Sequence, residues 1–69
     1  MDEVRIKDEY IKLGQLLKLA GYVGSGVDAK MVIQEGLVKY NGETETRRGK
    51  KVYPGDVVSF DGNDVKVVQ

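Results

Sequence analysis

The chain has 69 residues, room for one small domain, and its eleven basic side chains balance eleven acidic ones. It contains no Cys and no His, which excludes disulfides, zinc fingers, imidazole-ligated metals and the usual thiol or histidine catalysis. A domain this small buries only about 60% of the surface that its unfolded chain exposes, so its core must be aliphatic and its stability modest.

Residues 2–7 place Val4 and Ile6 between charged neighbours, the alternation of a short edge strand with one buried face. No apolar run at the N-terminus resembles a signal sequence, and no stretch approaches the ~20 apolar residues of a membrane span. A cytoplasmic location without membrane attachment is the expectation. Residues 8–12 lead into a first helix over 13–20, where Leu13, Leu16, Leu17 and Ala20 form one buried stripe and Gln15 and Lys18 lie off it. Gly21 is placed to end that helix. Ser25 is a natural N-cap for a second helix over 26–35, with Asp28 suited to its first turn. Ala29, Val32, Ile33 and Gly36 share one face of it, and Gly26, Lys30 and Gln34 another.

A strand over 37–40 follows, and Asn41-Gly42 supplies the type I′ turn of a hairpin returning over 43–46. Arg47-Arg48-Gly49-Lys50-Lys51 forms a basic loop or strand end. Pro54-Gly55 reads as the centre of a type II turn. A strand over 57–60, a turn over 61–64 and a last strand over 65–68, pairing with the first, complete the chain. The expected class is α+β: two short helices packed on a small, mostly antiparallel sheet, as one domain over 1–69.

Enzyme signatures are nearly absent. Gly42 to Lys50 resembles a phosphate loop, but six residues separate its glycines where the motif has four. The glycines at 21, 24 and 26 are in the wrong order for a dinucleotide fingerprint, and no strand leads into them. Asp61 to Asp64 hints at a calcium loop that lacks its closing Glu. No enzyme activity, cofactor, metal or small-molecule substrate is expected.

The charge is unevenly spread. Residues 12–51 carry eight basic against four acidic side chains, while each flank has an acidic excess of two. A local patch decides binding, not the total. The candidates are Lys12, Lys18, Lys30 and Gln34 on or beside the helices, and the Ser25-Gly26 junction, whose amides attract anions. Lys39 and Asn41 on the hairpin and Arg47, Arg48, Lys50 and Lys51 beyond it complete the set. Tyr22, Tyr40 and Tyr53 could stack on unpaired bases, with core packing the expected role of each.

The order L-G-Q-L-L-K-L-A-G, then S-G-x-x-A-K-x-x-I-x-x-G-x-V-x-x-N-G, then R-R-G-K-K and P-G-D, resembles the alpha-L RNA-binding domain of the ribosomal protein S-four type. The resemblance covers about residues 11–60 and is strongest to the stand-alone single-domain bacterial group that includes YbcJ and YaaA. It implies a compact α+β fold that binds structured RNA, ribosomal or transfer RNA, with the ribosome itself as a candidate partner. In related proteins the domain is joined to pseudouridine synthases, tyrosyl-tRNA synthetases and a ribosome-rescue heat-shock protein. The family pattern centres the RNA surface on the second helix and its N-terminus, at Ser25, Lys30 and Gln34, with the hairpin and loop cations around them. Many members carry Arg directly after the Ser; this chain has Gly26, which removes a phosphate contact. The alternative to RNA binding is a small protein-interaction adaptor with a β-grasp-like fold.

Overall fold

Both helices stop where a glycine lets them. The computed structural model describes residues 1–69 and places α1 at Leu13–Leu19 and α2 at Gly26–Gln34. After α1 the Gly21 amide donates to the Lys18 carbonyl and the Tyr22 amide to Leu17, with Gly21 at φ 77°. After α2 the Gly36 amide donates to Ile33 and the Leu37 amide to Val32, with Gly36 also at φ 77°. These are paired Schellman caps, which satisfy the last carbonyls and turn the chain sharply. Ser25 caps the start of α2 as expected: its hydroxyl accepts from the Asp28 amide at 3.1 Å.

Seven strands surround the helices. β1 (Asp2–Arg5), β3 (Val38–Tyr40), β4 (Glu43–Thr44), β6 (Val57–Phe60) and β7 (Asn63–Val68) form one sheet in the order β1-β7-β6-β3-β4. β1 pairs parallel to β7 on one edge, and every other pairing is antiparallel. β2 (Ile11–Lys12) and β5 (Lys51–Val52) form a separate antiparallel pair, with Ile11 opposite Val52. The core lies between helices and sheet. Leu13, Leu16, Leu17, Ala29 and Ile33 meet Val38, Val58, Val65 and Val67, all fully buried.

The two-helix α+β class, the edge strand and its pairing with the last strand are as the sequence predicts. Several boundaries differ. The last strand starts at Asn63, because Asp61 and Gly62 alone make the turn, both at positive φ. The return strand of the first hairpin is only Glu43–Thr44, and Leu37 lies outside β3 with its side chain exposed. β2 lies where the sequence predicts only an approach to the first helix, and β5 begins at Lys51, in the segment expected as a basic loop or strand end. The two consecutive helices and this strand order also differ from the β-grasp-like alternative, in which hairpins would surround one helix.

A polar clamp ties the first hairpin to the Pro54-Gly55 turn. The Asp56 carboxylate accepts the Tyr40 hydroxyl at 2.6 Å, the Tyr53 amide at 2.9 Å and the Asn41 side-chain amide at 3.1 Å. The Asn41 side-chain oxygen Oδ1 in turn accepts from the Val57 amide at 2.8 Å. Burial opposes the charge on Asp56, but these donors outweigh it and hold its carboxyl below the ordinary value.

Candidate nucleic-acid interface

The basic loop docks on the start of α1. Lys12, the N-cap residue, offers no side-chain cap. Instead the Leu13 amide donates to the Lys50 carbonyl at 2.9 Å, and the Gly14 amide to the Arg48 carbonyl at 3.1 Å. Amides that a helix leaves open at its N-terminus are thus satisfied by a loop more than thirty residues away in sequence. This docking carries the Arg48 side chain across Gly14, where a Cβ would stand only 2.8 Å from the Arg48 Cγ.

The result is a groove of about 280 Å3 between α1, the first turn of α2 and the loop. Lys12, Lys18 and Arg48 supply its cations, and Gln15 adds an amide. Gly26 opens its α2 side: a Cβ there would meet nothing within 4 Å. No acidic residue lines it. The first two amides of α2, at Gly26 and Val27, have no acceptor within the helix and add positive character at that end. The nearby Asp28 carboxylate tempers that effect. Groups of this kind, side-chain cations and open amides around a hollow without carboxylates, attract phosphate.

Of the residues expected at the site, the groove brings together Lys12, Lys18, Gly26 and Arg48, with Ser25 as the adjoining cap. Lys30 and Gln34 remain exposed on α2 but do not line it. The reason is rotational. Each step of four residues turns about 40° around the helix, whereas Ala29, three residues from Gly26, turns about 60° the other way. The groove lies on the Ala29 side.

The remaining candidates are placed elsewhere. Lys39 alternates with the buried Val38, so it projects from the sheet face opposite the core. Asn41 is committed to the clamp around Asp56. Arg47 forms the protein's one ion pair, with Glu45, at 2.9 Å. The Arg47 hydrogen bonds hold the Glu45 carboxyl down at about 2. Lys50 and Lys51 sit over the rings of Tyr40 and Tyr10, each 4.8 Å from the centroid, at a distance suited to cation–π attraction.

Gly14, Gln15 and Gly49 line the groove without having been singled out. A glycine early in the first helix pattern, where a better helix former would be expected, was the available signal for Gly14. Tyr53 is 39% exposed and rests against Tyr10 with ring centroids 5.8 Å apart, so it is not the core residue expected. Tyr22 and Tyr40 are partly buried against the core, each with its hydroxyl on a carboxylate.

Two helices joined by a short turn, with a sheet-borne basic loop closing a groove on the first, make the architecture of the alpha-L motif. The chain belongs to the S4 domain family, which matches residues 4–68. It is 47% identical over 62 residues to YbcJ of Escherichia coli K12, named as a candidate RNA-binding protein, covering 90% of this chain and 89% of that one. It is 48% identical over 59 residues to RlbA of Bacillus subtilis 168, named as a probable ribosome maturation protein, covering 86% and 83%. The solution structure of Escherichia coli YbcJ, described as revealing an alpha-L motif involved in RNA binding, superposes with a TM-score of 0.76 at 43% identity. That match covers 100% of this chain and 89% of the other.

Proposed function

We propose that this domain binds structured RNA through the groove between α1, α2 and the basic loop, and that its target is ribosomal RNA. The carrying observation is the groove itself: Lys12, Lys18 and Arg48 converge there with no carboxylate lining it and no ion pair made by any of them. The name of RlbA supports a ribosomal target over transfer RNA. The binding is to phosphates and helix shape rather than to base sequence, since long cations around an open hollow select charge and spacing. The domain acts by binding and not by catalysis, in the cytoplasm where ribosomes assemble.

Three phosphate contacts give a slope of log K against log salt of roughly −2 to −3. Titration of a helical ribosomal RNA fragment at several salt concentrations measures it. Binding that ignores salt removes this reading, and equal affinity for transfer RNA removes its ribosomal part.

A further inference from the structure

The exposed ridge of α1 has a second side. Gln15 and Lys18 wall the basic groove and also a larger cleft, of about 650 Å3, between α1 and the segment joining β1 to β2. The cleft differs in kind from the groove, because its floor is apolar. Ile6 and Ile11 line it, and they are the least covered members of the core, at 9% and 7% exposure where the other ten are at 0%. Leu19, the last residue of α1, stands at its edge with 66% of its surface in solvent. Tyr10 contributes an aromatic ring.

The rim is cationic. Arg5, Lys7 and Lys18 face a single carboxylate, Asp8, and none of the three is in an ion pair. One Arg5 nitrogen donates to the Gln69 carbonyl, which leaves the rest of its fork available.

We propose that this cleft takes one unpaired nucleotide of the RNA held in the basic groove, its base against Leu19, Ile6 and Ile11 and its phosphate toward Arg5, Lys7 and Lys18. The proposal rests on the RNA-binding reading above and extends it from paired to unpaired RNA. Its volume is in the range of small-ligand pockets. An apolar floor with a cationic edge matches a nucleotide, whose flat base gains from leaving water while its phosphate seeks positive charge. Continuity supplies the source. The two hollows share Gln15 and Lys18, so a strand leaving a helix in the groove reaches the cleft across one side chain's width.

The test compares a blunt RNA hairpin with the same hairpin carrying a short unpaired adenosine tail. The tail is expected to tighten binding at least about fivefold, the lower end for one stacked base. Leu19→Asn, which adds no charge, removes that gain and leaves the blunt hairpin bound as before. Val27→Asn, a change on α2 at similar exposure and outside both hollows, retains the gain. Equal binding of the two hairpins, or a gain that survives Leu19→Asn, overturns the proposal while leaving the groove reading intact. Failure of both hairpins to bind removes the groove reading and this proposal with it. Adenosine monophosphate is titrated separately, followed by amide chemical shifts. If it binds at Leu19 as tightly as the tailed hairpin, the cleft is a free-nucleotide site and its continuity with the groove is overturned.

Discussion

Arg48 crosses the start of α1 only because residue 14 has no side chain: a Cβ on Gly14 would lie 2.8 Å from the Arg48 Cγ. One of the three groove cations is therefore positioned by the smallest residue of a helix. Gly14→Ala puts its Cβ against the Arg48 Cγ and Cδ, so the Arg48 side chain is displaced or the Gly14–Arg48 backbone bond is stretched. RNA affinity is expected to fall in Gly14→Ala, and at least about tenfold in Arg48→Ala, where a charge-assisted contact worth ~1.5–3 kcal/mol is lost. The two changes are expected to be less than additive, which a double-mutant cycle by fluorescence anisotropy measures.

Gly26 offers the opposite experiment. A side chain there has open space, and the residue does not have a positive φ. Gly26→Arg adds a cation on the α2 side of the groove. It is expected to tighten RNA binding and to steepen the salt slope by about 0.7–0.9, one further phosphate contact. Titrations at varied salt give both numbers together.

The clamp around Asp56 is structural. Its carboxylate accepts from Tyr40, Asn41 and the Tyr53 amide, so Asp56→Ala leaves three donors without their acceptor. The expected loss of stability is ~1–3 kcal/mol, read from urea unfolding. RNA affinity of the folded fraction is expected to stay unchanged, because no clamp residue lines the groove.

The pH dependence has two limbs. On the alkaline side the Tyr40 phenol is raised to about 12 by its hydrogen bond to Asp56, and Tyr22 is raised to about 12 by burial and by its bond to Asp2. An unfolded tyrosine ionises near 10. Both groups are raised in the folded state, so their contribution is full below pH ~10 and is lost as pH climbs to ~12. Tyrosinate absorbance is expected to show Tyr22 and Tyr40 titrating late, with unfolding in that window. On the acid side Glu45, held at about 2 by Arg47 against an ordinary 4.5, contributes above pH 4.5 and loses that contribution as pH falls toward 2. Glu45→Gln is expected to flatten the acid limb of a thermal-melt series.

What the sequence disclosed about the fold was local. Gly21, Gly36, Ser25 and the Asn41-Gly42 turn each have a short-range reason for their conformation, and each is found where that reason puts it. β2 and its pairing with β5 were not legible, because two-residue strands carry no periodicity and Ile11 finds Val52 only across the folded chain. The same limit applied to the groove. Charge counting identified Lys12, Lys18 and Arg48 together with cations that lie elsewhere. Choosing among them required the docking of a distant loop on α1 and the direction in which α2 rotates from Gly26 toward Ala29. Asn41 shows a further ambiguity: a residue of the family signature proves to hold the hairpin to Asp56, a role that polarity alone does not separate from RNA contact.

The central claim is that position, not total charge, makes the interface. Two triple variants with the same change in net charge test it against a helical ribosomal RNA fragment. One reverses Lys12, Lys18 and Arg48 to Glu, and the other reverses Lys30, Lys39 and Lys66, exposed cations that do not line the groove. The first is expected to lose at least about a hundredfold in affinity, and the second to lose no more than about threefold at physiological salt, where distant surface charges are screened. Equal losses in the two variants would contradict the account.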